Sequence, residues 1–188
     1  MRVSAYESTD SIELVNMWRA SFEFAVGIKD PNPIQDQLNF FLREVISQNK
    51  VRVAKRENVI VGFLASAPDS VSHLYVRVQN IGQGVGAHLL GLAKLESEGS
   101  LWLYTFAQNT NARRFYERHG FKEASRRLSA GHRTCTNWKP SGTSGCGARV
   151  RPNTSFKRSA NGRPPGPGRW YAVNFHRPGP GVLPSSPA

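Results

Sequence analysis

The sequence predicts a mixed α/β sandwich in the order β-α-α-β-β-β-α-β-α-β, ending near residue 139. Three observations predict it. Apolar residues recur at three- and four-residue spacing in several segments, as they do along one face of a helix. Between those segments lie short runs rich in Val, Leu, Phe and Tyr, bounded by turn residues, as in strands. At Pro140 the character changes: nine of the twelve prolines and eight of the seventeen glycines fall in residues 140–188.

"RVSAY" opens the chain as a short strand, and Asp10 stands where a helix N-cap is expected. The helix follows over 11–26, with Ile12, Val15, Trp18 and Phe22 as its apolar stripe. "DPNP" breaks the chain before a second helix, whose stripe is Ile34, Leu38, Phe41 and Val45. "KVRVAKR" and "VIVGFLASA" flank the polar pair Glu57–Asn58 and read as a β-hairpin. "SVSHLYVRV" is a further strand. It leads into "NIGQGVGAHLL", which opens the helix "GAHLLGLAKLES". The strand "SLWLYTFA", the helix "NTNARRFYERH" and the strand start "GFKEASRRL" complete the order, whereas "RTCTNW" is a poor strand candidate.

The net charge of +12 is unevenly spread. Residues 1–121 carry 13 Lys and Arg against 12 Asp and Glu, an ordinary globular balance. Residues 122–188 carry 12 Lys and Arg against Glu123 alone, so the basic character belongs to the tail. Cys135 and Cys146 also lie there, with neither metal-ligand spacing nor a disulfide framework, which makes a reducing cytoplasm the expected location. No apolar run approaches the ~18 residues of a membrane span. The expectation is a cytoplasmic protein of one domain, 1–139, followed by a disordered Pro/Gly/Arg-rich extension, 140–188, too poor in apolar residues to order itself.

The glycines at 82, 84 and 86 carry the chemical signal. A nucleotide P-loop needs Lys-Ser/Thr after its last glycine, and here Ala87 and His88 follow Gly86. A dinucleotide turn matches Gly82, Gly84 and Ala87, but wants an acid at the end of the next strand, which here reads "TFAQN". What remains is a row of main-chain N–H groups at a helix N-terminus, suited to a pyrophosphate.

Together with the downstream stretch, that loop resembles the GCN5-related N-acetyltransferase superfamily. "LYVRVQNIGQGVGAHLL" looks like its acetyl-coenzyme A pyrophosphate motif. "NTNARRFYERHGF" looks like its second motif, N-x-x-A-x-x-x-Y-E-x-x-G-F. The resemblance implies a mostly antiparallel mixed sheet with helices on both faces, and an acetyltransferase using acetyl-coenzyme A as cosubstrate without a metal. Ile81, Gly82, Gln83, Gly84, Val85, Gly86 and Ala87 would hold the pyrophosphate. Ile81 stands where the family often has Gln or Arg, and Val78 where it has proline.

Leu74 and Val76 would offer main-chain groups to the pantetheine, and the Val76 N–H would face the developing oxyanion. Asn109, Ala112 and Tyr116 share one helix face. The resemblance sets them against the pantetheine and thiol, with Tyr116 protonating the departing thiolate. Asn109 also reads as a plain N-cap, and Tyr116 as a core residue. Glu23 and His73 are the candidate bases. The expected acceptor is a small-molecule amine, attacking directly in a ternary complex, with a homodimer the common assembly in such folds. A protein amine is the lesser alternative acceptor, and two other readings stay open: a non-catalytic acetyl-coenzyme A-binding module, and nucleic-acid binding by the basic aromatic tail. The tail also resembles peptides made where a bacterial frame runs into recombination-site DNA at the end of an integron cassette.

Overall fold

The computed structural model describes residues 1–127 and 133–138, with side chains through Glu123. The expected extension from residue 140 onward, with Cys146, lies outside the described residues. β1 (Arg2–Ala5) leads through a 3-10 turn, Ser8–Asp10, into α1 (Ser11–Val26). α2 (Ile34–Phe40) runs on through a π-helical stretch, Phe41–Val45, into α3 (Ile46–Gln48). β2 (Lys50–Arg56), β3 (Val59–Ala67) and β4 (Ser70–Val76) precede α4 (Val85–Leu95), β5 (Leu101–Phe106), α5 (Thr110–Arg118), β6 (Lys122–Arg127) and β7 (Arg133–Trp138).

These strands form one sheet in the order β1-β2-β3-β4-β5-β7-β6. Each neighbouring pair is antiparallel except β4 with β5. The weak strand candidate "RTCTNW" is therefore a full strand. It lies between β5 and β6, pairing Leu101–Phe106 on one side and Lys122–Arg127 on the other, so Cys135 belongs to the sheet rather than to the tail. Its side chains are a poor guide because the ladder is built from main-chain groups, which any non-proline residue supplies.

Two apolar cores lie on opposite faces, as expected of a sheet with helices on both sides. One joins Leu14, Val15, Trp18 and Phe22 of α1 and Phe41 and Val45 to Val51, Val53 and Phe63. The other joins Val85, Leu89 and Leu90 of α4 and Tyr116 of α5 to Leu64, Val71, Leu101 and Leu103. Three expectations for the first helices need correction, the simplest being that Ile34 is 39 % exposed and stands off the buried stripe of the second helix. Ile12 is 69 % exposed, and the buried stripe of α1 runs through Leu14, Val15, Met17, Trp18, Ser21 and Phe22 instead. Asp10 makes no side-chain cap to α1; its buried carboxylate accepts from Lys55 Nζ at 2.5 Å. The hairpin turn is as expected: Glu57 and Asn58 have φ of 50° and 66°, the two left-handed residues of a type I′ turn, between paired Arg56 and Val59.

Candidate active site

The site begins with a break in the sheet. β4 and β5 pair at Ser70–Trp102 and Val71–Leu103, and no further. On its other edge β4 stays paired with β3, but the register shifts: Ala65 faces His73 and Ser66 faces Val71, leaving Ser72 as an extra residue. Such a bulge bends its strand and re-aims the groups beyond it. Past the bulge, the Arg77 N–H donates to Val61 O at 2.8 Å. Antiparallel alternation then turns the main-chain groups of Tyr75 and His73 toward β3, and those of Leu74 and Val76 into the gap beside β5. Their side chains divide accordingly. Leu74 and Val76 pack on the α4–α5 face, and Tyr75 on the α1 face.

α1 closes one side of this gap. Ser21 Oγ lies 2.9 Å from Val76 O and 2.8 Å from Met17 O, so one hydroxyl proton serves both carbonyls. Phe22 meets Phe106 of β5 with ring centroids 5.8 Å apart. Ser21 and Tyr75 were not singled out from sequence, and Phe22 was read only as a member of the α1 stripe. A buried serine on the apolar stripe of α1 was the one local sign of the first. A cavity of about 290 Å³ lies alongside, between Glu13, Asn16, Met17 and Ser21 of α1 and Arg77, Val78 and Gln79.

The glycine loop stands at the end of the gap. Gly82 and Gly84 both have φ of 81°, with open space where a Cβ would project. Gly84 is the N-cap of α4, so the N–H groups of Gly84, Val85, Gly86 and Ala87 head the helix without a preceding turn to accept them. Gly86 has a different job from the other two. A Cβ there would meet the Phe115 ring at 3.4 Å and Val76 Cγ2 at 3.5 Å, ordinary contact distances, so this position lies where α4, α5 and β4 pack together. Val85 is buried, Ile81 is 54 % exposed, and the Gln83 amide folds back, donating to Gln79 O at 2.9 Å.

Across the gap stands α5. Asn109 caps it, its Oδ1 accepting from the Ala112 N–H at 3.0 Å. Ala112 packs half-buried against the core that contains Tyr116. Tyr116 lies between Phe115 and Phe121, with centroids at 5.2 and 5.6 Å. Burial, with a smaller contribution from the Tyr75 phenol, raises its pKa well above the ordinary tyrosine value and keeps it protonated.

The two candidate bases sit in surroundings that do not suit proton abstraction. Glu23 has both oxygens occupied, by Lys29 Nζ at 2.7 Å and the Asp30 N–H at 3.1 Å, which hold its pKa below the usual carboxylate value. It ties down the α1–α2 connection. His73 is 4 % exposed and packs against Trp18 (4.8 Å between centroids), Phe63 and Tyr75. Its tautomer follows from its neighbour. Ser72 Oγ donates to Ala65 O at 3.0 Å, so the 3.0 Å contact with His73 Nδ1 must take its proton from the imidazole. Nε2 is then a bare lone pair, buried without a partner among the described residues, and burial lowers the pKa to about 3. Among the described residues, no group of three His, Cys, Asp or Glu side chains could hold a metal, and no helix is long and apolar enough to cross a membrane.

The fold around this site has known counterparts. Residues 47–123 match the sequence profile of the acetyltransferase (GNAT) domain. An N-acetyltransferase, PaiA, from Thermoplasma acidophilum, solved with coenzyme A, superposes with a TM-score of 0.59 at 19 % identity, covering 74 % of this chain and 98 % of that one. A GNAT-family acetyltransferase from Staphylococcus aureus Mu50 gives 0.61 at 16 % identity, over 73 % and 98 %. A ribosomal-protein-alanine N-acetyltransferase from Brucella melitensis gives 0.58 at 17 %, over 74 % and 100 %. No curated protein matches by sequence. The profile match spans β2 through the start of β6, including the glycine loop and the Asn109–Phe121 motif, so this stretch carries the acetyltransferase (GNAT) domain pattern, and the solved structures share the fold around it.

Proposed function

We propose that the protein transfers the acetyl group of acetyl-coenzyme A to the amine of a small molecule, by direct attack within a ternary complex. The observation that carries this is the gap between β4 and β5 beyond Val71 and Leu103, with the glycine-capped end of α4 beside it. An extended thioester arm needs a row of main-chain partners, and its pyrophosphate needs unpaired N–H groups at a helix N-terminus. Here the open edge of β4 ends at Val76, and the capped helix begins at Val85 after one short loop.

In this reading the N–H groups of Gly84 to Ala87 hold the pyrophosphate, with Ile81, Gly82 and Gln83 shaping the approach. Leu74 and Val76 pair with the pantetheine along the open edge of β4. The Val76 N–H meets the thioester oxygen as charge builds on it; its carbonyl is already engaged by Ser21. The amine nitrogen attacks the carbonyl carbon, the C–S bond breaks, and the sulfur leaves as thiolate. Tyr116, held neutral by burial, gives its proton to that thiolate and recovers, through water, the proton that the attacking nitrogen sheds as it becomes an amide. Asn109 acts by capping the helix that carries Tyr116, and Ala112 keeps the face narrow. The acceptor amine loses its first proton to solvent rather than to Glu23 or His73. Positioning of the two reactants supplies the rate gain.

Calorimetric titration of the full chain with acetyl-coenzyme A tests the reading. Binding in the micromolar range, with free thiol released on addition of small primary amines, supports it. A folded protein that binds no acetyl-coenzyme A rejects it.

A further inference from the structure

The phosphate loop carries no formal charge of its own. From Val78 through His88 there is no Lys, Arg, Asp or Glu, and Ile81 is an exposed aliphatic side chain. The adjacent cation, Arg77, faces the other way. Its Nη2 donates to Glu13 Oε1 at 2.6 Å and its Nε to Ile60 O at 2.5 Å, on the α1 side of β4. A coenzyme A pyrophosphate bound there would meet main-chain dipoles and no full positive charge from the loop itself.

A charge arrives from elsewhere in the chain. Arg56 ends β2 at the type I′ turn, and its Nη1 donates to Gln83 Oε1 at 2.5 Å. Gln83 is fixed for this: Oε1 also accepts from Asn80 Nδ2 at 3.2 Å, and Nε2 donates to Gln79 O. The guanidinium forms no ion pair with a carboxylate of the described residues. Arginine has five N–H donors in a planar fork suited to phosphate oxygens, and one of them suffices for Gln83.

We propose that Arg56 is a binding residue for the pyrophosphate of coenzyme A, delivered across the loop by the β2–β3 hairpin and aimed by Gln83. It supplies the full charge that the loop lacks. This rests on the acetyl-coenzyme A reading above, and its test separates the two.

Arg56→Ala and Arg56→Lys, each checked by thermal melting, would be titrated with three probes: acetyl-coenzyme A, its 3′-dephospho form, and S-acetylpantetheine, which has no pyrophosphate. Arg56→Ala should raise Kd for the first two by about tenfold or more, as expected for loss of a charge-assisted contact. It should also flatten the salt dependence of that Kd. Arg56→Lys should recover part of the loss, and S-acetylpantetheine binding should not change. Unchanged acetyl-coenzyme A affinity in a wild-type protein that binds it would overturn the assignment. So would a loss that disappears with the dephospho form, which would place the arginine at the 3′-phosphate. An equal loss for all three probes would make Arg56 a support of the hairpin only. A wild-type protein that binds neither coenzyme would reject the acetyltransferase reading, and the arginine's role with it.

Discussion

Tyr116 and His73 show how burial assigns different tasks to two titratable groups. Both are buried, and each is held in its neutral form. Neutral tyrosine has a proton to give. Tyr116→Phe should therefore lower kcat about a hundredfold or more, with acetyl-coenzyme A affinity and melting temperature nearly unchanged. Steady-state thiol release beside calorimetry would show it; an unchanged kcat would leave Tyr116 as a packing residue. Neutral histidine in an aromatic cage has a different consequence. Its pKa is about 3 in the fold against 6.5 for an ordinary imidazole. The unfolded chain therefore takes up a proton below pH 6.5 that the folded chain refuses. The penalty is absent above that value and grows as pH falls, by about 1.4 kcal/mol per unit until the folded pKa is reached. His73→Phe should flatten that loss. Urea unfolding of both proteins at pH ~7 and ~5 would measure it, and equal pH dependence would contradict the tautomer and burial described above.

Helix α4 separates the work of two glycines that look alike in the sequence. Gly84, at φ 81°, sets the direction of the leading N–H groups. Gly84→Val should cost about 1–2 kcal/mol through left-handed backbone strain and weaken acetyl-coenzyme A binding together with stability. Gly91, farther along the same helix, has open space around its missing Cβ. Gly91→Ala should stabilise the protein by about 0.5–1 kcal/mol and leave binding unaltered. Melting temperatures and titrations of the two variants, side by side, would decide it. Loss of binding in both would mean that the helix as a whole, rather than its first turn, sets the site.

β7 matters to the molecule as a whole because it holds β5 and β6 together. A chain ending at residue 139 retains it and should bind acetyl-coenzyme A as the full chain does. A chain ending at residue 128 loses the strand and leaves the edge of β5 unpaired. It should melt at lower temperature and aggregate, since an open edge is a template for intermolecular pairing. Calorimetry and light scattering on the two truncations would check both statements. Weakened binding in the 139-residue chain would give the basic extension a part in the site.

Much of this protein was legible in short windows of sequence. The stripe through Val15, Trp18 and Phe22, the Glu57–Asn58 turn, the glycine loop and the Asn109 cap all came through, because each depends on neighbours a few residues away. Periodicity, left-handed φ and cap hydrogen bonds are local physics. The misread residues, Ile12, Ile34 and Asp10, are those whose environment comes from distant chain: stripes chosen by the surface they meet, and a carboxylate claimed by Lys55. The insertion of β7 between β5 and β6, the bulge at Ser72 that opens the gap, and the arrival of Arg56 at Gln83 had no local signal. Main-chain ladders accept nearly any side chain, so the partner of a strand, and what its turn then reaches, is settled only when remote segments pack together.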